Sequence, residues 1–280
     1  MCRLFGLLGD ESSGAEEWLV ASDRSLLAQS HASRATLQND GWGVGWYDGS
    51  RRPRIERGTR GAYQPKERPL FARAAENARG PVVVGHLRRA SNPMKLPRGQ
   101  LIAPENSQPF SDGASLFIHN GEISLPRETR PHLGPLDAEV QGVNDSEVLF
   151  WLFTKHLRAS ADPVRAYEAT RRELAQVWEE TGRIKKRPYS GLNVVYAPGP
   201  DRIWAFCHWL GDHGGALFAK DQPYYRMGYR ATENSVIVGS EPFSSTDRAW
   251  EPLENGMFLM GERAGGAVRV RTGQIAEPEG

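Results

Sequence analysis

The apolar positions of this chain fall into short continuous runs near the start and again through the second half, with two long periodic stretches between them. The opening "MCRLFGLLGD" places Leu4, Phe5, Leu7 and Leu8 in one run, which predicts a buried strand. Ser13 followed by Glu16 is a capping-box pattern and predicts a helix running through Trp18, Leu19, Leu26 and Leu27. "GWGVGWYDGS" reads as a glycine-rich strand closed by a turn at Asp48 and Gly49, and "LFARAAENARG" as a short helix ending at Gly80. The β-branched run in "PVVVGHLRRAS" and the run in "ASLFIHNGEI" predict strands buried on both faces. Two helices follow, one from Asn144 through "DSEVLFWLFTKHL", the other from Asp162 with Pro163 in its first turn and Gly182 past its end. Strands return at "GLNVVYAP", "RIWAFCHWL", "SVIVGSE", "GMFLMGER" and "GAVRVRTG".

The order strands, helices, strands predicts layered α+β packing rather than an alternating parallel sheet. With 280 residues, no internal repeat and no long linker, the chain reads as a single domain over 1–280 whose last residues, "GQIAEPEG", are frayed.

Composition narrows the function. The 35 basic and 34 acidic residues leave a formal net charge of +1, so there is no electrostatic footprint for nucleic acid or an anionic membrane, and small-molecule chemistry is expected. The one dense basic run, "RIKKRP" at 183–188, reads as a solvated loop past a helix end. Only Cys2 and Cys207 occur, which fits a reducing compartment; with no membrane-length apolar stretch and no complete signal-peptide core, the expected location is cytoplasmic. Cys207 sits in an apolar strand as core, and no Cys/His cluster has metal-ligand spacing.

Cys2 raises the question of chemistry. Removal of Met1 would leave a free α-amine, titrating near pH ~8, on the same residue as a thiol titrating near ~8.5, so base and nucleophile would be one residue. The alternative is a small buried hydrophobe at the start of a strand. Asn120 and Gly121, in "FIHNGEI", can supply a side-chain amide and a backbone N–H to an oxyanion; Asn-Gly is equally the commonest two-residue hairpin turn. Arg88 and Arg89, ending "GHLRRAS", offer a planar fork for a carboxylate, with His86 a hydrogen-bonded structural residue. Asp145, in the first turn of a helix capped by Asn144 with Glu147 at N3, either complements the helix dipole or serves as counter-ion to an ammonium group.

These pieces, taken in order, resemble the glutaminase domain of class II glutamine amidotransferases, which are N-terminal nucleophile hydrolases. The likeness lies in "MCRLFG", "NDGWGVGWY" at 39–47, "GHLRRAS" at 85–91, "ENSQPF" at 105–110, "FIHNGEI" at 117–123, "NDSE" at 144–147 and "VGSEPF" at 238–243. It implies a four-layer αββα sandwich of two antiparallel sheets between helices. It also implies Cys2 as nucleophile, its α-amine as base, Asn120 and Gly121 as oxyanion hole, Arg88 for the substrate α-carboxylate, Asp145 for the α-ammonium, and Trp42 and Gly43 in a loop near the nucleophile. Arg3 stands where many members carry glycine, as in a shorter branch of stand-alone enzymes, and Arg89 where tryptophan is common, so Arg88 is taken as the clamp with Arg89 the other choice. The implied reaction is hydrolysis of glutamine or another γ-glutamyl amide through a thioester, with no metal and no cofactor. The alternatives are a glutaminase subunit delivering ammonia to a separate synthase subunit, and a non-catalytic sensor of γ-glutamyl ligands.

Overall fold

The opening apolar run forms strand β1 (Arg3–Leu8), and every residue of it is buried. In this computed structural model, which describes residues 2–277, β1 lies inside a seven-stranded antiparallel sheet together with β2 (Trp42–Trp46), β3 (Arg54–Gly58) and β4 (Val82–Leu87). A second sheet of five strands is founded on β5 (Leu116–Ile123), β6 (Tyr189–Gly199) and β7 (Arg202–Cys207). The remaining strands are β8 (Met227–Ala231), β9 (Val236–Gly239), β10 (Glu251–Leu253), β11 (Met257–Ala264) and β12 (Ala267–Gln274). Strand order is β10-β8-β9-β1-β4-β2-β3 in the first sheet and β12-β11-β7-β6-β5 in the second, with every pairing antiparallel.

Helices cover the outer faces. The helices α1 (Leu26–Gln29) and α2 (Arg68–Asn77) lie on the first sheet, α3 (Arg98–Leu101) and α4 (Pro126–Thr129) are single turns, and α5 (Asp145–Ser160) and α6 (Pro163–Glu180) pack on the second. The result is the four-layer αββα sandwich. Strand alternation sorts the side chains. Phe5, Leu7, Val83 and Leu87 face outward to Leu19, Leu26, Phe71 and Ala74, while Leu4, Leu8, Val82 and Val84 face inward to Ile118, Val195, Ile203 and Leu259 of the other sheet. On the far side, Phe150 and Phe153 of α5 meet Phe117 and Tyr196, and Tyr167 of α6 stacks on Phe206 at 4.4 Å between ring centroids. No described helix is long and apolar enough to cross a membrane.

Several local expectations change. The single helix expected from Ser13 to Leu27 is two pieces, a π-turn over Glu17–Ala21 and then α1, because Ser13 Oγ accepts from Asp10 N (2.9 Å) in a turn and Ser25 caps the second piece instead (Ala28 N to Ser25 Oγ, 3.2 Å). The helix expected to end at Gly80 stops at Asn77. Asn120 and Gly121 do not turn the chain: β5 runs straight through both. Three short, half-exposed strands, β3, β8 and β10, lack the apolar runs that reveal the others. Within the tail, Gly273 and Gln274 belong to β12, Ile275 is buried and Glu277 pairs with Arg171 (3.0 Å), so these residues are tied down; 278–280 lie outside the described residues.

Candidate active site

At one end of the space between the sheets the inward positions change from aliphatic to polar. Along β1 the step is from Leu4 to Cys2, along β4 from Val84 to His86 and then Arg88, and along β5 from Ile118 to Asn120 and Glu122. Register brings the first two together, since Arg3 pairs with Leu87 and Leu4 with His86, which sets Cys2 beside Arg88.

Cys2 is buried, and its Sγ donates to the carbonyl of Arg89 at 3.6 Å. Burial pushes the thiol's pKa up, opposed by the Arg88 guanidinium and assisted by the Asp145 carboxylate, so both charges are felt at the sulfur. A thiol in this setting needs a proton acceptor close by before it can attack.

Arg88 and Arg89 are separated by the pleat: Arg88 is buried on the inner face and Arg89 is exposed. Arg88 Nη1 donates to the carbonyls of Leu101 (2.8 Å) and Asp40 (3.3 Å), which fixes the plane of the guanidinium, while Nε and Nη2 make no hydrogen bond among the described residues. Asp145 begins α5, where Asn144 accepts from Ser146 N (3.0 Å) as N-cap. Its Oδ1 accepts from Ser91 Oγ (2.8 Å) and its Oδ2 from Ile123 N (2.9 Å); burial nonetheless raises its pKa, against those bonds and Arg88. Glu147, expected to complete a capping box, accepts instead from Gln141 and Gly142 N (2.8 Å each).

The free edge of β5 is the most informative part. Phe117 N donates to Phe110 O (2.9 Å), His119 N to Gln108 Oε1 (2.5 Å) and Ile123 N to Asp145 Oδ2 (2.9 Å). Alternation turns Gly121 N–H to the same edge, where no carbonyl or side chain of the described residues takes it. Asn120 is fully buried, and neither its Oδ1 nor its Nδ2 has a partner among the described residues. Leaving a buried amide without a partner costs about 1–3 kcal/mol. Only glycine fits at 121, since a Cβ there would lie 1.8 Å from Gly191 O.

Neighbouring residues hold this frame. Gln108 brackets His119, accepting from its N–H and donating from Nε2 to its carbonyl (3.2 Å), in place of a sixth strand. The His119 ring, pushed to about 4 by burial and therefore neutral, links Ser146 Oγ (2.9 Å) to Gly191 O (3.0 Å). His86, driven to about 3 by burial and the adjacent Arg88, is likewise neutral, and neither ring nitrogen has a hydrogen-bond partner among the described residues. Behind β1, Ser240 Oγ accepts from Leu4 N (3.0 Å) and Glu241 pairs with the buried Arg3 (3.0 Å), so the strand carrying Cys2 is anchored on its other side. These supporting residues lie inside the same motifs: Ser91 in "GHLRRAS", Gln108 in "ENSQPF" and Ser240 with Glu241 in "VGSEPF".

The structure thus brings together Cys2, Arg88, Asn120, Gly121 and Asp145. It does not bring in Trp42. Trp42 and Gly43 lie within β2 rather than on a loop, and the Trp42 indole faces the outer layer, donating to Glu67 Oε2 (2.8 Å) and meeting Phe71 edge-on. Gly43 faces inward but is covered by the Gln108 backbone, whose carbonyl a Cβ would meet at 1.9 Å.

A buried cysteine at the head of β1 and an Asn-Gly pair on β5, whose amide has no partner among the described residues, lie at the polar end of a two-sheet sandwich. The chain belongs to the class-II glutamine amidotransferases, whose family model matches residues 1–278. Among individual proteins, it is similar to the gamma-glutamyl-hercynylcysteine sulfoxide hydrolase of Mycolicibacterium smegmatis, 28% identical over 262 residues that make up 90% of this chain and 92% of that protein. Its fold is like that of a glutamine aminotransferase class-II domain protein from Silicibacter pomeroyi, with a TM-score of 0.64 at 18% identity over 99% of this chain and 100% of the other.

Proposed function

We propose that this protein hydrolyses γ-glutamyl amides through a thioester on Cys2. The observation that carries the reading is the pair formed by the buried, unpartnered Asn120 amide and the free Gly121 N–H on the polar end of the interlayer space that Cys2 enters. The similarity to a protein named for γ-glutamyl hydrolysis agrees with it.

In this reading Met1 is removed and the α-amine of Cys2 takes the thiol proton. Sulfur attacks the side-chain carbonyl carbon, and the oxyanion is held by Asn120 Nδ2 and Gly121 N–H. Collapse breaks the C–N bond, the leaving amine departs with the proton from the α-ammonium, and a γ-glutamyl thioester remains. Water, deprotonated by the same amine, then releases glutamate and the free thiol. Arg88 grips the substrate α-carboxylate with Nε and Nη2, and Asp145 receives the α-ammonium.

The test is an assay of the purified protein on glutamine and a panel of γ-glutamyl amides, with the Cys2→Ala variant alongside. Turnover by wild type alone and none by the variant is expected. Turnover appearing only when a synthase is added would replace the hydrolase reading with ammonia delivery, and tight binding with no turnover at all would replace it with a sensor.

A further inference from the structure

One carboxylate at the site has no partner. Glu122 lies two residues beyond Asn120 on β5, so both side chains stand on the inner face. It is half-buried and makes neither a hydrogen bond nor an ion pair among the described residues. The Asp145 carboxylate is seated on the amide of Ile123, the residue immediately after it. The Asp145 charge is felt at Glu122, and two carboxylates near enough to repel, one of them half-buried and unpaired among the described residues, are unfavourable unless a cation joins them.

The protein's own cations do not fill that role. Lys185 and Arg187, from the "RIKKRP" run ahead of β6, face Glu122, but Lys185 Nζ donates to Pro93 O (3.5 Å) and Arg187 Nη1 to Leu210 O. The other charged or titratable groups facing it among the described residues are Asp145 from α5 and Tyr225. Burial first and the Asp145 charge second push the Glu122 carboxyl up to about 7, so it stands half ionised near neutrality. Beside it Asn120, fully buried with both amide atoms unpartnered among the described residues, independently marks this face as one that receives a polar ligand.

We infer that Glu122 is a specificity residue, a second carboxylate that shares the α-ammonium group of the γ-glutamyl substrate with Asp145. The inference rests on the hydrolase reading above. It makes the site selective for acyl groups that carry an α-amine, so a glutaryl amide, identical but for that amine, is a poor ligand. The selectivity grows as pH rises through about 7, because the carboxylate forms in that direction.

The experiment is calorimetric binding of L-glutamate and of glutarate to wild type and to Glu122→Gln near pH ~8, where the carboxyl is ionised. Loss of one charge-assisted contact should weaken glutamate about tenfold and leave glutarate within about twofold. Equal weakening of both ligands, an unchanged glutamate affinity, or no glutamate binding by wild type would overturn the inference. If that variant melts early, Glu122→Ala read in the same way decides: glutamate weakened with glutarate unchanged supports the assignment, and parallel behaviour of the two would refute it. Turnover retained by Cys2→Ala would instead refute the hydrolase reading and leave the ammonium site standing, so the two failures are distinct.

Discussion

The two ends of the interlayer space are built by the same strands and differ by one pleat step. At the deep end Leu4, Val84 and Ile118 interlock with Val195 and Ile203, all fully buried and apolar. At the other end Cys2, His86, Arg88 and Asn120 occupy the equivalent inward positions, also buried but polar. The deep end is close-packed, and its atoms find their partners in each other. The polar end carries amide and imidazole atoms with no partner among the described residues. Burial at the deep end adds stability, whereas at the polar end it leaves buried polar groups unsatisfied at a cost, and on the proposed function that cost is repaid by donors kept dry and aimed.

Substitutions should separate the two ends. Cys2→Ala should reduce kcat by about 10⁴-fold or more with the melting temperature unchanged, since it removes the nucleophile and little packing. Asn120→Ala should lower kcat about 10²- to 10³-fold through loss of one oxyanion donor. The same change deletes an unpaired buried amide, so thermal stability should hold or rise, and a marked fall in melting temperature would mean that the amide is a structural bond after all. Arg88→Lys exchanges a planar fork for a point charge and should raise KM about tenfold with kcat less affected; equal loss in both would place Arg88 outside substrate binding. The smallest effect belongs to the deep end. Ile118→Val should cost about 0.5–1.5 kcal/mol in denaturant unfolding and leave steady-state constants untouched, although it sits two residues from Asn120.

Much of this architecture was readable before any coordinates, for physical reasons that also explain the rest. Continuous apolar runs exist only where a strand is covered on both sides, so β1, β4, β5, β6 and β7 announced themselves. Edge strands such as β3 and β10 are half solvated and leave no such trace. The capped starts of α5 and α6 were legible because Asn144 and Asp162 each act within three residues of themselves. Ser13 misled, since the same hydroxyl that can cap a helix also closes a turn. At the site, the order of motifs named the residues now found together, and the pleat separated Arg88 from Arg89. Trp42 went the other way, because the pleat turns its indole to the outer layer, against Glu67 and Phe71. Ser91, Gln108 and Glu241 were illegible as supports because each acts on a residue more than ten positions away, through geometry that only the folded sheets create.

The central claim is that Cys2 itself becomes acylated with its backbone nitrogen free. Mass spectrometry of the N-terminal peptide, after acid quenching of the enzyme during turnover of a γ-glutamyl amide, tests it most directly. The expected product is a peptide that begins at Cys2 and carries one γ-glutamyl group on sulfur, removable by hydroxylamine. A fully active enzyme whose peptide still begins at Met1, or whose acyl group sits on any other residue, would contradict it.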